Sequence, residues 1–188
     1  MHLDEVDKKE LLKTARNAIQ SALESRRPER NEHAGAALNE KCGAFVTLHL
    51  HGELRGCIGY IEARLPLIKT IEEAAQKAAF EDPRFLPLTR EEFKEVKIEL
   101  SILSPLEKIT DPKCVEVGKH GLVIDAGYTR GLLLPQVATE YGWGREEFLS
   151  QTCRKAGLPA DCWNTRKVTI YTFTSEVFSE IDLAGALR

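Results

Sequence analysis

The sequence predicts an α+β fold in which a mostly antiparallel sheet is flanked by helices. Helix-period and strand-period segments follow one another without the regular strand–helix alternation that builds a parallel sheet. Neighbouring strand segments are joined by short glycine-containing turns, which is typical of antiparallel hairpins. The 188 residues allow one domain or two subdomains, and 43% hydrophobic with 29% charged residues is the composition of a globular protein.

The first half of the chain is predicted to contain two helices and a β-hairpin. Apolar residues recur at helical spacing over residues 5–24 and again over 66–80, so both segments are predicted to be amphipathic helices. Between them, strands at 45–50 and 54–60 flank a turn at 51–53. Two strand-like runs separated by a short polar turn with a glycine predict a hairpin.

The second half is predicted to be rich in strands. Residues 97–103 alternate between apolar and polar side chains, which predicts a half-buried strand. A helix over 145–156 is expected to end before Gly157, because glycine suits the left-handed residue beyond a helix. The other predicted elements are strands at 114–117, 121–126, 131–134 and 168–178 and a short helix at 135–142.

Charge and composition exclude several classes of protein. The net charge of −3 supplies no positive field for nucleic acid or an acidic membrane. No apolar run approaches the ~20 residues of a membrane span, and the charged first ten residues are unlike a signal peptide, so we expect a cytoplasmic protein. The five cysteines are odd in number and lack C-x-x-C spacing, so we expect five free thiols and no zinc ribbon.

The most unusual run is LRGCIG, in which a thiol stands between two glycines. Arg55 and Cys57 are two residues apart in a strand and share a face, so the guanidinium could stabilise a thiolate. Gly56 and Gly59 leave room for a ligand and let backbone N–H groups face an anion. The alternative is that Cys57 fills the core and the glycines form a bulge. The turn length leaves the hairpin register open.

Two other short patterns each have a functional and a structural interpretation. His49 and His51 could project from one strand face as a metal pair, but solvated histidines are the commoner outcome, and no metal site is predicted. In the DPRF run, Arg84 is fixed by the preceding proline and could bind an anion. Alternatively Asp82 bonds to the backbone and Arg84 pairs with a carboxylate such as Glu81.

LRGCIG together with its surroundings resembles the hallmark of the AMMECR family. GAFVTL before it and AAFEDPRFLPLT, IELSILSP, HGLVI, RGLLLPQVA and KAGLP after it are similar to that family in the same order, over about residues 10–180. The resemblance implies one AMMECR-type domain over 1–188, with two unequal subdomains, and no established reaction. Prokaryotic members are also called AmmeMemoRadiSam system protein A, which implies a Memo-like protein and a radical SAM protein as partners.

Two functions follow as hypotheses. The first is an accessory component that binds a substrate or a partner. The alternative is a thiol-dependent enzyme in which Cys57 is the catalytic nucleophile that modifies a small molecule or a macromolecule, although no general base is evident beside it. No cofactor is predicted. The residues proposed to contact the substrate or partner are Leu54, Arg55, Gly56, Ile58, Gly59 and Arg84.

Overall fold

The computed structural model describes residues 3–27, 35–62, 64–165 and 167–185. The chain divides into two compact units. The first unit is Met1–Leu103 with Glu176–Arg188, and the second unit is Ser104–Ser175. Each unit contains helices and a four-stranded antiparallel sheet, so the predicted α+β fold with two unequal parts is confirmed.

Among the described residues, the first unit contains four α-helices and four strands. They are α1 (Glu5–Leu23), β1 (Ala44–Leu50), β2 (Glu53–Tyr60), α2 (Leu67–Phe80), α3 (Arg90–Glu95), β3 (Lys97–Leu103), β8 (Ser175–Ser179) and α6 (Glu180–Gly185). The strands form a sheet in the order β2-β1-β3-β8. Val46 and Leu48 of β1 and Leu100 of β3 lie on one face of this sheet, which we call the inner face, and they form a core with residues of α1 and α2. The opposite face is called the outer face.

The second unit has its own sheet and helices. The elements are β4 (Glu107–Ile109), β5 (Gly121–Asp125), β6 (Arg130–Leu133), α4 (Pro135–Glu140), α5 (Arg145–Lys155) and β7 (Thr169–Phe173). The strand order is β4-β7-β5-β6. Leu122 and Ile124 of β5 pack with Phe148 and Leu149 of α5 in a separate core. Gly157 follows α5 with a φ of 74°, as expected for the residue that ends the helix.

Two strand predictions need correction. Residues 114–117 are not a strand, because the Asp111 side chain accepts a hydrogen bond from the N–H of Lys113 and starts a short 3-10 turn over Pro112–Cys114. The single strand predicted over 168–178 is two strands, β7 and β8, which belong to different sheets. Strand β4 and helix α3 lie outside every predicted element.

The expectation of five free thiols is wrong, because Cys153 and Cys162 form a disulfide. After Gly157 the chain turns back toward α5, and the two Cα atoms lie 6.0 Å apart. Cys42 is buried, Cys57 is half-buried and Cys114 is exposed, and these three are free thiols. No helix in the described part of the chain is long and apolar enough to cross a membrane.

Candidate functional site

The hairpin register decides where Cys57 points. A two-residue turn with positive φ at His51 (53°) and Gly52 (87°) joins β1 and β2. Thr47 pairs with Cys57, and directly opposed residues project to the same side of a sheet. Because Thr47 alternates with the buried Val46, Cys57 lies on the outer face.

Four side chains form what we call the Cys57 cluster: Thr47, His49, Cys57 and Glu99. Thr47 lies between Cys57 of β2 and Glu99 of β3. Its Oγ1 is 3.4 Å from the Cys57 sulfur, and His49 Nε2 is 4.0 Å from Glu99 Oε1. The side chains of His49 and Glu99 are 34% and 31% exposed. His49 Nε2 is itself buried and makes no hydrogen bond within the described residues.

The two glycines of LRGCIG are required by packing. A Cβ at Gly56 would lie less than 3.0 Å from the carbonyl oxygen of Ala78, so the missing side chain lets α2 approach β2. A Cβ at Gly59 would lie less than 3.0 Å from the ring of Phe45, which faces it across the hairpin. Ile58 packs against the core of the first unit.

A turn at residues 82–85 binds the edge strand β2 beside Cys57. The Asp82 side chain, 2% exposed, accepts a 2.9 Å hydrogen bond from the N–H of Cys57. It also accepts two bonds from the Arg84 guanidinium, at 2.9 Å and 2.7 Å. Arg84 in turn donates to the carbonyl of Cys57 at 3.5 Å. Arg84 therefore pairs with Asp82 and not with Glu81, and the pair covers an unpaired sheet edge.

Arg55 is bound to α3 and not to the thiol. The register shifts between Leu48 and His49, which leaves Arg55 as the extra residue of a β-bulge. Its Nε and Nη2 donate to Glu92 at 2.9 Å and 3.0 Å, and its guanidinium lies 5.7 Å from the centre of the Phe85 ring. The sequence-based hypothesis that Arg55 stabilises a Cys57 thiolate is therefore wrong.

The surroundings of Cys57 disfavour its thiolate form. Burial raises the pKa of Cys57, and the opposing effects of the Thr47 hydrogen bond and of the Arg84 charge are smaller. The carboxylates of Asp82 and Glu99 raise that pKa further. By contrast, the hydrogen bonds from Arg84 hold the pKa of Asp82 well below its ordinary value. The site thus disfavours the thiolate of Cys57 and favours the charged form of Asp82.

No cluster of three or more His, Cys, Asp or Glu side chains that could hold a metal occurs within the described ranges. His49 and His51 face carboxylates instead, with His51 Nε2 3.7 Å from Glu95.

Thr47 and Glu99 were not among the residues predicted from the sequence. A two-residue turn alone would place Cys57 opposite Val46 on the inner face, and the bulge at Arg55 shifts the pairing so that Cys57 faces Thr47. The signal that could have found them is therefore the turn combined with a bulge, which the strand glycines indicated.

Comparison with known proteins decides the family. A family model described as AMMECR1 matches residues 12–178. The chain belongs to the AMMECR1 family. This AMMECR1-family chain is 50% identical over 155 residues to a protein of Methanocaldococcus jannaschii, covering 78% of this chain and 77% of that protein. A Pyrococcus furiosus protein is 45% identical over 181 residues, covering 90% of this chain and 86% of that protein.

A solved structure has the same fold. The crystal structure of an uncharacterized protein from Pyrococcus horikoshii matches this AMMECR1-family chain with a TM-score of 0.89 at 40% identity. The match covers 95% of this chain and 93% of that chain. The family resemblance found in the sequence is therefore confirmed, and the relatives' names state no activity.

Proposed function

We propose that this AMMECR1-family protein is an accessory component that binds a substrate or a partner on the outer face of its first unit. The observation that carries the proposal is that Cys57 is half-buried, with a pKa raised by that burial, while Arg55 and Arg84 are both bound to carboxylates. A thiol whose ionisation is disfavoured in this way is a poor nucleophile. The cluster therefore offers the hydrogen-bonding groups of Thr47, His49 and Cys57 beside the carboxyl group of Glu99.

The six residues that the sequence predicts to contact a substrate or partner have two roles in this proposal. Leu54 is 41% exposed and the Arg84 side chain is 53% exposed, so these two are available for contact. The other four shape the region around Cys57, because they pack or hold a neighbouring element in place. They are Arg55, Gly56, Ile58 and Gly59.

The decisive test is alkylation of the native protein across pH, with each cysteine followed by mass spectrometry. We expect Cys57 to react more slowly than the exposed Cys114 at neutral pH, and to accelerate only above the ordinary thiol pKa of roughly 8.5. Cys42 is a matched buried control, because burial raises its pKa to about 11. If Cys57 reacts faster than Cys114 at neutral pH, the binding proposal loses its main support.

We further propose that the partners are a Memo-like protein and a radical SAM protein. This choice of partners is supported by the family resemblance. An anaerobic pull-down with the purified candidates tests it. We expect the wild-type chain to retain at least one of them and Leu54→Asp to weaken that retention, because Leu54 is an exposed apolar contact. If neither candidate is retained, this choice of partners is wrong.

One observation favours the enzyme alternative. His49 and Cys57 lie diagonally on neighbouring strands of the outer face, and His49 Nε2 is 4.0 Å from Glu99. If His49 were the base, His49→Gln would slow the alkylation of Cys57 at neutral pH relative to the wild type. Equal alkylation rates in the two proteins exclude this mechanism.

A further inference from the structure

The second unit carries two neighbouring clefts separated by a tryptophan. The first cleft, of about 640 Å³, lies between residues 111–113 and 144–149. The second cleft, of about 650 Å³, lies between residues 108–110 and 168–170. Pro112, Trp163 and Asn164 line both. Volumes of this size are typical of small-molecule sites.

Trp163 is held rigidly between the clefts. The residue before it, Cys162, is tied to Cys153 of α5 by the disulfide. Its indole N–H donates to Ser150 Oγ at 3.4 Å, and its ring packs against the core of the second unit. An aromatic side chain fixed in this way loses little conformational entropy when a ligand ring packs against it.

The two clefts differ in charge. Asp111, Glu146 and Glu147 line the first cleft together with Lys113 and Arg145. Among the described residues, the lining of the second cleft contains a single charged side chain, that of Lys108, and no carboxylate. The second cleft is therefore the one that suits a negatively charged ligand.

The polar side chains of the second cleft are available to bind a ligand. Lys108, Thr110, Asn164 and Thr169 line it, and none of these side chains makes a hydrogen bond or an ion pair with the described residues. Their ammonium, hydroxyl and amide groups are all hydrogen-bond donors. Together with Trp163 they provide donors for an anion beside an aromatic wall.

We propose that the second cleft binds a small molecule in which a planar ring carries an oxyanion, either a carboxylate or a phosphate. The oxyanion accepts hydrogen bonds from Lys108 and the neighbouring hydroxyl and amide groups, and the ring packs against Trp163. The site lies in the second unit and is independent of the function proposed for the Cys57 cluster.

Binding is measured by NMR on the full chain, through the indole N–H signal of Trp163. The chain has two tryptophans, so Trp143→Phe assigns that signal. The probes are 4-hydroxybenzoate and phenyl phosphate, compared with inorganic phosphate, benzyl alcohol and benzylamine. We expect saturable shifts with 4-hydroxybenzoate, phenyl phosphate or both, and weaker binding of the other three compounds. If 4-hydroxybenzoate binds more tightly, the oxyanion is a carboxylate, and if phenyl phosphate does, it is a phosphate.

Lys108→Gln is expected to weaken binding at least about tenfold, because it removes the charge that pairs with the oxyanion. This residue is exposed, so the variant is expected to fold, and Lys155→Gln on the exposed end of α5 is the matched control. The proposal is overturned if no probe shifts the signal at roughly 10 mM, if benzylamine or benzyl alcohol binds as tightly, or if Lys108→Gln leaves the affinity unchanged.

Discussion

The two units place a helix against a sheet in the same way but fix the chain beyond that helix differently. Gly56 of β2 lets α2 approach the first sheet, and Gly131 of β6 lets α5 approach the second. Beyond α2, the chain is held by the hydrogen bonds of Asp82 to β2 and to Arg84. Beyond α5, the chain is held by the covalent bond between Cys162 and Cys153.

Because the two contacts differ in chemistry, different solution conditions weaken each unit. An ion pair depends on the ionisation of its carboxylate, so the contact beside Cys57 responds to acid. A disulfide does not titrate but is broken by reductants, so the support of Trp163 responds to thiols. Variants that remove either the Asp82 contacts or the disulfide separate the response to acid from the response to reductants.

The largest effect is expected from Gly56→Ala. A Cβ there would lie less than 3.0 Å from the backbone oxygen of Ala78, and a helix backbone cannot yield as a flexible side chain would. We expect the free energy of unfolding, measured with urea, to fall by about 3 kcal/mol. Gly131→Ala should have a similar effect in the second unit.

Gly144→Ala is the control for both glycine variants, because nothing lies within 4 Å of a Cβ at that position. It should cost about 1 kcal/mol or less, through the poorer cap of α5. If Gly56→Ala lowers the free energy of unfolding no more than Gly144→Ala does, α2 and β2 can separate enough to accommodate a methyl group.

Reduction of the disulfide is expected to cause the next largest loss of stability. Closing a loop of this length stabilises a protein by about 2–3 kcal/mol, so a reductant should lower the free energy of unfolding by that amount. The variant carrying both Cys153→Ala and Cys162→Ala should not respond to the reductant. Thiol counting in denaturant is an independent check, and a count of five without reductant would contradict the disulfide.

Asp82→Asn should cost about 2 kcal/mol, because it removes the charge that pairs with Arg84 in a buried position. It should also speed the alkylation of Cys57, since the 82–85 turn would hold β2 less firmly. Glu116→Gln is the surface control, because the pair of Glu116 with Lys119 is exposed and contributes little to stability. Equal stability losses in the two variants would mean that Asp82 contributes no more than a surface charge.

The smallest effect is a change in acid sensitivity. The pKa of Asp82 is held below its ordinary value by Arg84, and Arg55 lowers that of Glu92 to about 2. Carboxyls with a depressed pKa stabilise the fold above their unfolded values of roughly 4, and that stability is lost as the pH falls toward the folded values. Between about pH 7 and pH 3, wild-type stability should therefore fall more than that of Asp82→Asn. If the free energy of unfolding of the two proteins falls by the same amount over this pH range, Asp82 is not a source of the acid sensitivity.

Local periodicity was sufficient to predict most elements of the fold. The helices α1, α2 and α5 and the hairpin of β1 and β2 all follow from spacings of a few residues. The strand predicted at 114–117 failed because the turn chemistry of Asp111 outweighed the strand propensity of the valines. The single strand predicted at 168–178 failed because strand pattern does not report which sheet a segment joins.

The candidate site was predicted only in part, because its contacts join residues far apart in the chain. The choice of Asp82 over Glu81 as the partner of Arg84 depends on the approach of the turn to β2. The face of Cys57 depends on the two-residue turn, in which His51 has a positive φ that non-glycine residues seldom adopt, and on the bulge at Arg55. The disulfide likewise depends on the chain reversal after Gly157, and cysteine spacing alone does not report it.

The order of the strands along the chain has a consequence for synthesis. The second unit is one continuous stretch, Ser104–Ser175, whereas the first unit needs β8 from the segment that follows. During translation, every residue of the second unit is delivered before the first sheet can gain its fourth strand. Domains tend to fold as units as they emerge from the ribosome. The first unit is therefore started first but completed last. A chain stopped at residue 175 would lack β8 of the first sheet but would retain all four strands of the second sheet.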